Sequence, residues 1–218
     1  MIGVRGSRYD RTKRGIDLVA AALLLVGLLP AMLAIGLLVL ATLGRPVLFR
    51  QQRPGRGGEP FTLVKFRTMR LAEPARPAGD RLRLTTLGRL LRATSLDELP
   101  TLWNVLRGHM SLVGPRPLLP AYLGRYTPQQ ARRHEIRPGI TGLAQVSGRN
   151  ELSWPERFAY DVWYVDHRSL YLDLQILART SWTVLSRQGI TAPGCATARE
   201  FRPTAALAAG DPVPEPTT

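Results

Sequence analysis

The sequence predicts an α+β fold, a helix-rich cytoplasmic domain with a small β-hairpin or sheet, preceded by a proline-broken re-entrant membrane helix. Three features lead to it. The stretch from Ile16 to Leu43 is almost entirely apolar and carries Pro30 near its middle. Basic residues flank it at both ends. Beyond it, two β-rich runs around a Gly/Pro turn give way to segments with helical spacing of apolar residues.

The apolar stretch is long enough for a membrane segment, since about 20 apolar residues cross a bilayer core. It exceeds the roughly 7–15-residue apolar region of a cleaved signal peptide, and no clear small-x-small cleavage site ends it. Arg5, Arg8, Arg11, Lys13 and Arg14 precede it, and Arg45, Arg50, Arg53 and Arg56 follow it. A single span would leave one cluster outside, against the tendency of basic flanks to stay on the cytoplasmic side. A segment that enters and returns keeps both inside. Pro30 divides the stretch because it lacks an N–H and its ring crowds the preceding turn. At about 1.5 Å per residue, each half of about a dozen residues reaches about half of a roughly 30 Å core. A proline-kinked span is the alternative, because true spans tolerate proline. Asp17, beside the basic flank, is expected to pair with Arg14 or with a partner at headgroup level. The expected organisation is a basic juxtamembrane segment at 1–14, the re-entrant helix at 15–44, a cytoplasmic domain at 45–190 and a disordered tail at 191–218, where alanine, proline, threonine and glycine dominate.

With 218 residues and 44% hydrophobic content, the chain can build one domain with a proper core. Its formal net charge of +14 points to polyanionic partners, and every basic residue except Lys13 and Lys65 is arginine, which suits bidentate phosphate contacts. Cys195 is the sole cysteine, so no intrachain disulfide forms, in keeping with a reducing compartment. His109, His134 and His167 lack metal-ligand spacing, and no zinc site is expected. The arginines are spread along the chain, with neither a zinc finger nor an RNA-binding aromatic motif. No nucleic-acid partner is expected. A membrane-anchored basic nucleic-acid-binding or scaffold protein is the competing class.

Residues 46–52 read as a strand, 53–60 as a Gly/Pro turn and 61–69 as a second strand, together a hairpin. In the second strand the period of two puts Lys65 and Arg67 on one face, where two cations can meet one anion. Leu84, Leu87, Leu90 and Leu91 mark a short amphipathic helix ending before Thr94 and Ser95, with Arg89 and Arg92 on its polar side. Leu99, Leu102, Trp103 and Leu106 mark the next helix, stopped at Gly108. Ser95-Leu-Asp-Glu98 has the form of a capping box, and acidic residues in a first turn commonly do no more than complement the helix dipole. Pro100 decides the register: with Ser95 as N-cap it would fall at the fifth helical position and clash, whereas with Asp97 as N-cap it falls within the first turn. Asp97 is therefore expected at the mouth of the helix.

Met110 to Pro117 is a short strand running into a turn that holds Arg116 between two prolines. Thr127 and Ser153 each open a helix through a capping box, the second helix reaching about His167. Between them, residues 137–150 carry three glycines and no helical period, which reads as a loop. Residues 170–188 form a last helix with broad apolar faces.

Taken together, these segments resemble the bacterial sugar transferases, the monotopic polyprenyl-phosphate phosphoglycosyl transferases, in their small form that has only the catalytic domain. The resemblance covers Lys13 to about Ile190. It is carried by Lys13-Arg-Gly-Ile-Asp17, the proline-broken apolar stretch, Gln52-Arg-Pro-Gly55, Lys65-Phe-Arg-Thr-Met69, Arg92 with Ser95-Leu-Asp-Glu-Leu-Pro100, Ser111-Leu-Val-Gly-Pro-Arg-Pro117 and the run from Arg137 to Asn150. Leu29 is a departure, because small members often carry serine before the proline.

The resemblance implies transfer of a phosphosugar from a UDP-sugar to a polyprenyl (undecaprenyl) phosphate, with UMP released and a covalent aspartyl-phosphosugar intermediate formed. This is the first membrane step of surface polysaccharide or glycoconjugate synthesis. Asp97 would be the nucleophile and Glu98 its catalytic neighbour, the two holding Mg²⁺. Lys65, Arg92 and Arg116 are the candidates for phosphate contacts, and Gln145, Arg149 and Asn150 for the nucleotide-sugar pocket. Asp97 is expected to be ionised, favoured by a helix N-terminus and by Arg92. The implied partners are the UDP-sugar, the polyprenyl phosphate, membrane lipids and downstream glycosyltransferases, at the cytoplasmic face of the bacterial plasma membrane. No residue selects among galactose, glucose, an N-acetylated amino sugar and a bacillosamine-like sugar.

Overall fold

In the computed structural model, residues 8–71, 80–148, 152–186 and 201 are described. The chain opens with two helices, α1 (Arg8–Gly27) and α2 (Leu29–Leu43), bent by 62° at Leu28. Pro30 lies in the first turn of α2, where its missing N–H removes no intrahelical bond. The bend is sharp although Leu29 supplies no hydroxyl. Backbone bonds run through it, from Leu28 N to the Leu24 carbonyl at 2.9 Å and from Met32 N to the Leu28 carbonyl at 2.8 Å. Among the described residues no single helix is long and apolar enough to cross a membrane; the bent pair meets that length and composition only together.

Helix α1 begins before the apolar stretch, and its first turns are built into the domain. Lys13 Nζ donates to Asp173 at 2.8 Å, and Arg14 donates to the Val105 carbonyl at 2.8 Å and the Leu106 carbonyl at 3.2 Å. Asp17 is buried and accepts from Ser111 Oγ at 2.7 Å and Leu112 N at 3.2 Å. It therefore bonds to a strand of the domain, not to Arg14 or a headgroup-level group. The basic residues just before the apolar stretch are thus partly structural anchors. Farther along, Val19, Leu23, Val26, Leu33 and Leu37 are exposed apolar side chains.

Strands β1 (Leu48–Pro54) and β2 (Pro60–Phe66) form the expected antiparallel hairpin, in the register Leu48 to Phe66 and Arg53 to Phe61. Its ends are shifted from the sequence expectation, because β2 stops at Phe66. Lys65 and Arg67 consequently part company: Arg67 is buried and donates to the Leu43 and Gly44 carbonyls at the end of α2. The two cations do not converge on one anion.

After α3 (Asp80–Arg83), helix α4 (Thr86–Ala93) packs so closely on the chain leaving β2 that a Cβ at Gly88 would stand 2.0 Å from the Thr68 carbonyl oxygen. A 3₁₀ turn at Leu96–Thr101 leads into α5 (Leu102–Leu106). Strand β3 (Ser111–Val113) pairs in parallel with β4 (Gly139–Thr141), separated by the short α6 (Pro128–Ala131). Residues 137–150 are thus more than a loop, since β4 is followed by α7 (Leu143–Ser147). Helices α8 (Trp154–His167) and α9 (Leu170–Ser186) complete the domain, α8 with the expected Ser153–Glu156 capping box.

The core lies in four patches. Phe61, Leu63, Leu102 and Val105 join the hairpin to α5 and α1; Val39, Phe66 and Leu91 join it to α2 and α4. Val113, Leu143, Tyr164 and Ile176 bind the β3–β4 pair to the last helices. Leu118, Tyr122 and Phe158 form an aromatic patch with Phe201, which is 1% exposed. The rest of the segment expected as a disordered tail lies outside the described residues.

Candidate active site

The free edge of β2 positions the acidic pair. Thr101 Oγ1 donates to the Val64 carbonyl at 3.0 Å, while Asn104 accepts from Val64 N at 3.1 Å and donates to the Thr62 carbonyl at 2.7 Å. Both side chains are buried, and together they fasten the turn carrying Asp97 and Glu98 against the strand carrying Lys65. Sequence reasoning passed over both, because a Thr and an Asn within an amphipathic helix give no sign of facing a strand edge.

The local geometry differs from the expected N-cap at Asp97. Ser95 takes the left-handed conformation, φ 56°, and its side chain makes no cap bond. Pro100 sits inside the 3₁₀ turn and Asp97 is the turn's second residue, not its N-cap. The tighter turn accommodates Pro100 by a route other than the shift of register anticipated. Glu98 is not a box partner for Ser95 either. Its Oε1 accepts from Lys65 Nζ at 2.5 Å and from Arg116 Nη2 at 2.7 Å.

Asp97 is 9% exposed, and among the described residues no side chain donates a hydrogen bond to it. Burial, followed by the adjacent Glu98 charge, pushes its carboxyl up to about 6, and Lys65, Arg92 and Arg116 only partly offset this. The expectation that Arg92 and a helix terminus set its ionisation is therefore corrected: desolvation is the largest effect. Glu98 goes the other way. Although burial opposes it, Arg116 and Lys65 hold its carboxyl down at about 2. In return, Glu98 raises the Arg116 guanidinium, while burial lowers the Lys65 ammonium.

Arg92 lies at the end of α4, donates from Nε to Thr68 Oγ1 at 3.0 Å, and acts on Asp97 through its charge. The structure thus brings Asp97, Glu98, Lys65 and Arg116 together, with Arg92 beside them. Gln145 stands elsewhere in the hydrogen-bond network: it donates to the Ile140 carbonyl at 2.9 Å, and its Oε1 is buried without a partner. Arg149 and Asn150 lie outside the described residues.

Arg53 belongs to this cationic group, although in the sequence it stood as a membrane-flanking charge and as part of the Gln52-Arg-Pro-Gly55 motif, with no site role. It donates to the Pro117 carbonyl at 3.3 Å and to Gln51 Oε1 at 2.6 Å, and burial together with neighbouring Arg116 lowers its guanidinium to about 10. Its place in the period of two beside Gln51, at the end of a strand, was the available signal.

Among the described residues, no group of three or more His, Cys, Asp and Glu side chains is placed to hold a metal. Two adjacent carboxylates nevertheless suit Mg²⁺, which commonly takes one or two protein carboxylates and completes its octahedron with water and substrate phosphates. Both cations on Glu98 meet Oε1, so Oε2 has no partner among the described residues.

The chain matches the model of the bacterial sugar transferases over residues 8–187. The chain belongs to the bacterial sugar transferase family. Among the relatives of this bacterial sugar transferase, EpsL of Bacillus subtilis, named an uncharacterised sugar transferase, is 51% identical over 191 residues, covering 87% of this chain and 95% of EpsL. A UDP-glucose:undecaprenyl-phosphate glucose-1-phosphate transferase of Caulobacter vibrioides is 45% identical over 192 residues, covering 81% of this chain and 71% of the relative. A UDP-galactose-lipid carrier transferase of Erwinia amylovora is 42% identical over 196 residues, covering 81% of this chain but 41% of that longer relative.

Proposed function

We propose that this bacterial sugar transferase moves a sugar-1-phosphate from a UDP-sugar to a polyprenyl phosphate, as the names of its relatives describe for undecaprenyl phosphate. The observation that carries the chemistry is the split between two adjacent carboxylates. Glu98 is held by two cations, whereas Asp97 accepts from no described donor and is raised toward neutrality.

A carboxylate with that poise is basic enough to attack phosphorus and is still ionised at neutral pH. An Asp97 oxygen bonds to the β-phosphorus, the bond from that phosphorus to the bridging oxygen breaks, and UMP leaves with the electron pair. An oxygen of the polyprenyl phosphate then bonds to the same phosphorus. The aspartyl–phosphorus bond breaks, restoring the carboxylate and releasing polyprenyl-diphosphate-sugar. Lys65, Arg92 and Arg116 surround the carboxylates and lower the repulsion between Asp97 and the incoming diphosphate. Mg²⁺ held by Asp97 and Glu98 would supply further neutralisation of the phosphoryl oxygens.

The bent α1–α2 pair supports a re-entrant seat in the cytoplasmic leaflet of the bacterial plasma membrane. Its exposed apolar side chains lie beyond the turns of α1 that anchor in the domain, so the site would sit at headgroup level, where a lipid phosphate is presented. Glucose and galactose both occur among the substrates named for relatives.

The test is UMP release by the purified protein in phospholipid nanodiscs with undecaprenyl phosphate, across a panel of UDP-sugars, with intact-protein mass spectrometry. Wild-type protein is expected to gain the mass of one phosphosugar, and Asp97→Asn to gain none. A normal adduct on Asp97→Asn would overturn the nucleophile assignment; absence of UMP release with every UDP-sugar would overturn the activity.

A further inference from the structure

Arg116 is mounted in an unusual way. Flanking prolines fix the backbone on both sides of it and supply no N–H of their own, so its neighbourhood has carbonyls in excess of local donors. Three successive carbonyls are each anchored by a different part of the domain. Pro115 accepts from Gly139 N at 3.0 Å, Arg116 from Arg133 Nη2 at 2.8 Å, and Pro117 from Arg53 Nη1 at 3.3 Å.

The middle anchor is the most heavily built. Arg133 and Asp161 form a buried ion pair, their side chains 1% and 3% exposed, with Arg133 Nε and Nη2 donating to Asp161 Oδ2 at 3.0 Å and 2.6 Å. The Tyr126 and Phe158 rings cover the guanidinium, its carbon 5.8 Å and 5.6 Å from their centroids. Phe201 closes the same aromatic group from the C-terminal segment, with its ring centroid 5.0 Å from that of Phe158 and its carbonyl accepting from Arg125 at 2.7 Å. A buried ion pair is weak support for stability, because desolvation cancels much of its attraction. What this pair provides is a fixed donor for the Arg116 carbonyl.

We propose that Arg133, locked by Asp161, is a positioning residue for the transfer reaction: it fixes the backbone from which Arg116 reaches Glu98. The inference rests on the assignment of Asp97, Glu98 and Arg116 to the site. It separates two jobs that one arginine could not do, since Arg116 meets Glu98 while Arg133, among the described residues, meets the Arg116 backbone, Asp161, the Tyr126 hydroxyl and aromatic rings.

The experiment replaces the pair without leaving a buried charge, as Arg133→Met/Asp161→Leu in the full chain in nanodiscs, and measures UMP release and thermal unfolding. The exchange is expected to leave the melting temperature near wild type, since apolar replacement of a buried pair is often neutral. The kcat/KM should nevertheless fall by about tenfold to a hundredfold, the scale of a misplaced catalytic group. Combining it with Arg116→Gln should bring no loss beyond that of Arg116→Gln alone. Wild-type turnover in a folded pair variant, or losses that multiply, would overturn the proposal. If the pair variant melts early, the near-isosteric Asp161→Asn is put through the same cycle, with the same two outcomes deciding. Full activity in Arg116→Gln by itself would instead remove the site assignment on which the relay rests.

Discussion

Asp97 and Glu98 are neighbours in the chain, yet their carboxyls are driven in opposite directions, up to about 6 and down to about 2. Both are desolvated; the difference is that Glu98 turns into Lys65 and Arg116 while Asp97 accepts from neither. Charge on Asp97 is therefore unfavourable, and the fold holds it there at the expense of stability.

A stability test follows, with its sign set by the raised value. Asp97 binds its proton more tightly folded than unfolded, so the folded state is favoured below the ordinary value of 3.8 and loses that advantage as pH rises through about 6. Asp97→Asn should stabilise the protein at pH 7–8 by up to about 3 kcal/mol, from roughly 1.4 kcal/mol for each tenfold change in proton affinity. At pH 4 the gain should shrink to about 0.5 kcal/mol. Thermal unfolding at the two pH values, with EDTA present, measures it; an equal effect at both would remove burial of the charge as the cause. In the same manner, UMP release without added excess Mg²⁺ should fall away as pH drops below about 6.

Glu98→Gln removes the charge that Lys65 and Arg116 share. Arg116 keeps 44% of its side chain exposed, so water takes over part of the lost interaction, and a cost of about 1–3 kcal/mol is expected. The Mg²⁺ concentration giving half-maximal UMP release should rise at least severalfold. Unchanged metal dependence would leave Glu98 as a purely structural partner of the cations.

Gly88→Ala tests how Arg92 is placed. The added methyl would stand 2.0 Å from the Thr68 carbonyl oxygen and 2.8 Å from its carbon, so α4 must move off the chain that leaves β2. The chain should lose about 1–3 kcal/mol, and the Arg92–Thr68 bond with it. Chemical denaturation measures the first. Loss of UMP release larger than the unfolded fraction accounts for measures the second.

Asp17→Ala should release the first half of α1 from the domain. It leaves Leu112 N without its buried acceptor, while Ser111 Oγ keeps the Val113 carbonyl at 3.0 Å, at a cost of about 1–3 kcal/mol. Limited proteolysis in nanodiscs should then cut before Ile16 much faster than in wild type.

Membrane topology is decided by labelling in a Cys195→Ser background. Re-entry predicts that cysteines replacing Arg8 and Arg50 react with an impermeant reagent only from the cytoplasmic side. Labelling of one from each side would establish a span.

Along the chain, local chemistry determined a good deal of this protein. Strand pattern with a Gly/Pro turn marks the hairpin, the Ser153 capping box marks the start of α8, and apolar faces mark α9, because these signals are properties of neighbouring residues. The Ser153 and Thr127 capping boxes form because all their partners lie within four residues. Pro30 likewise announces the break at Leu28. The clustering of Asp97, Glu98, Lys65, Arg92 and Arg116 came from matched motifs, since no local rule links positions 65 and 116. Tertiary structure alone decided the rest. Asp97 became the second residue of a 3₁₀ turn and not its N-cap, Glu98 is drawn to cations from two distant segments, and Arg67 left Lys65 to cap α2. The parallel pairing of β3 with β4, the burial of Phe201 and the clamp of Asp161 through Arg133 on Arg116 depend on contacts between remote residues. Whether an aspartate stays near its ordinary acidity or climbs toward neutrality is likewise set by how much water and which charges the fold leaves around it, and in that sense the proposed nucleophile is a product of packing.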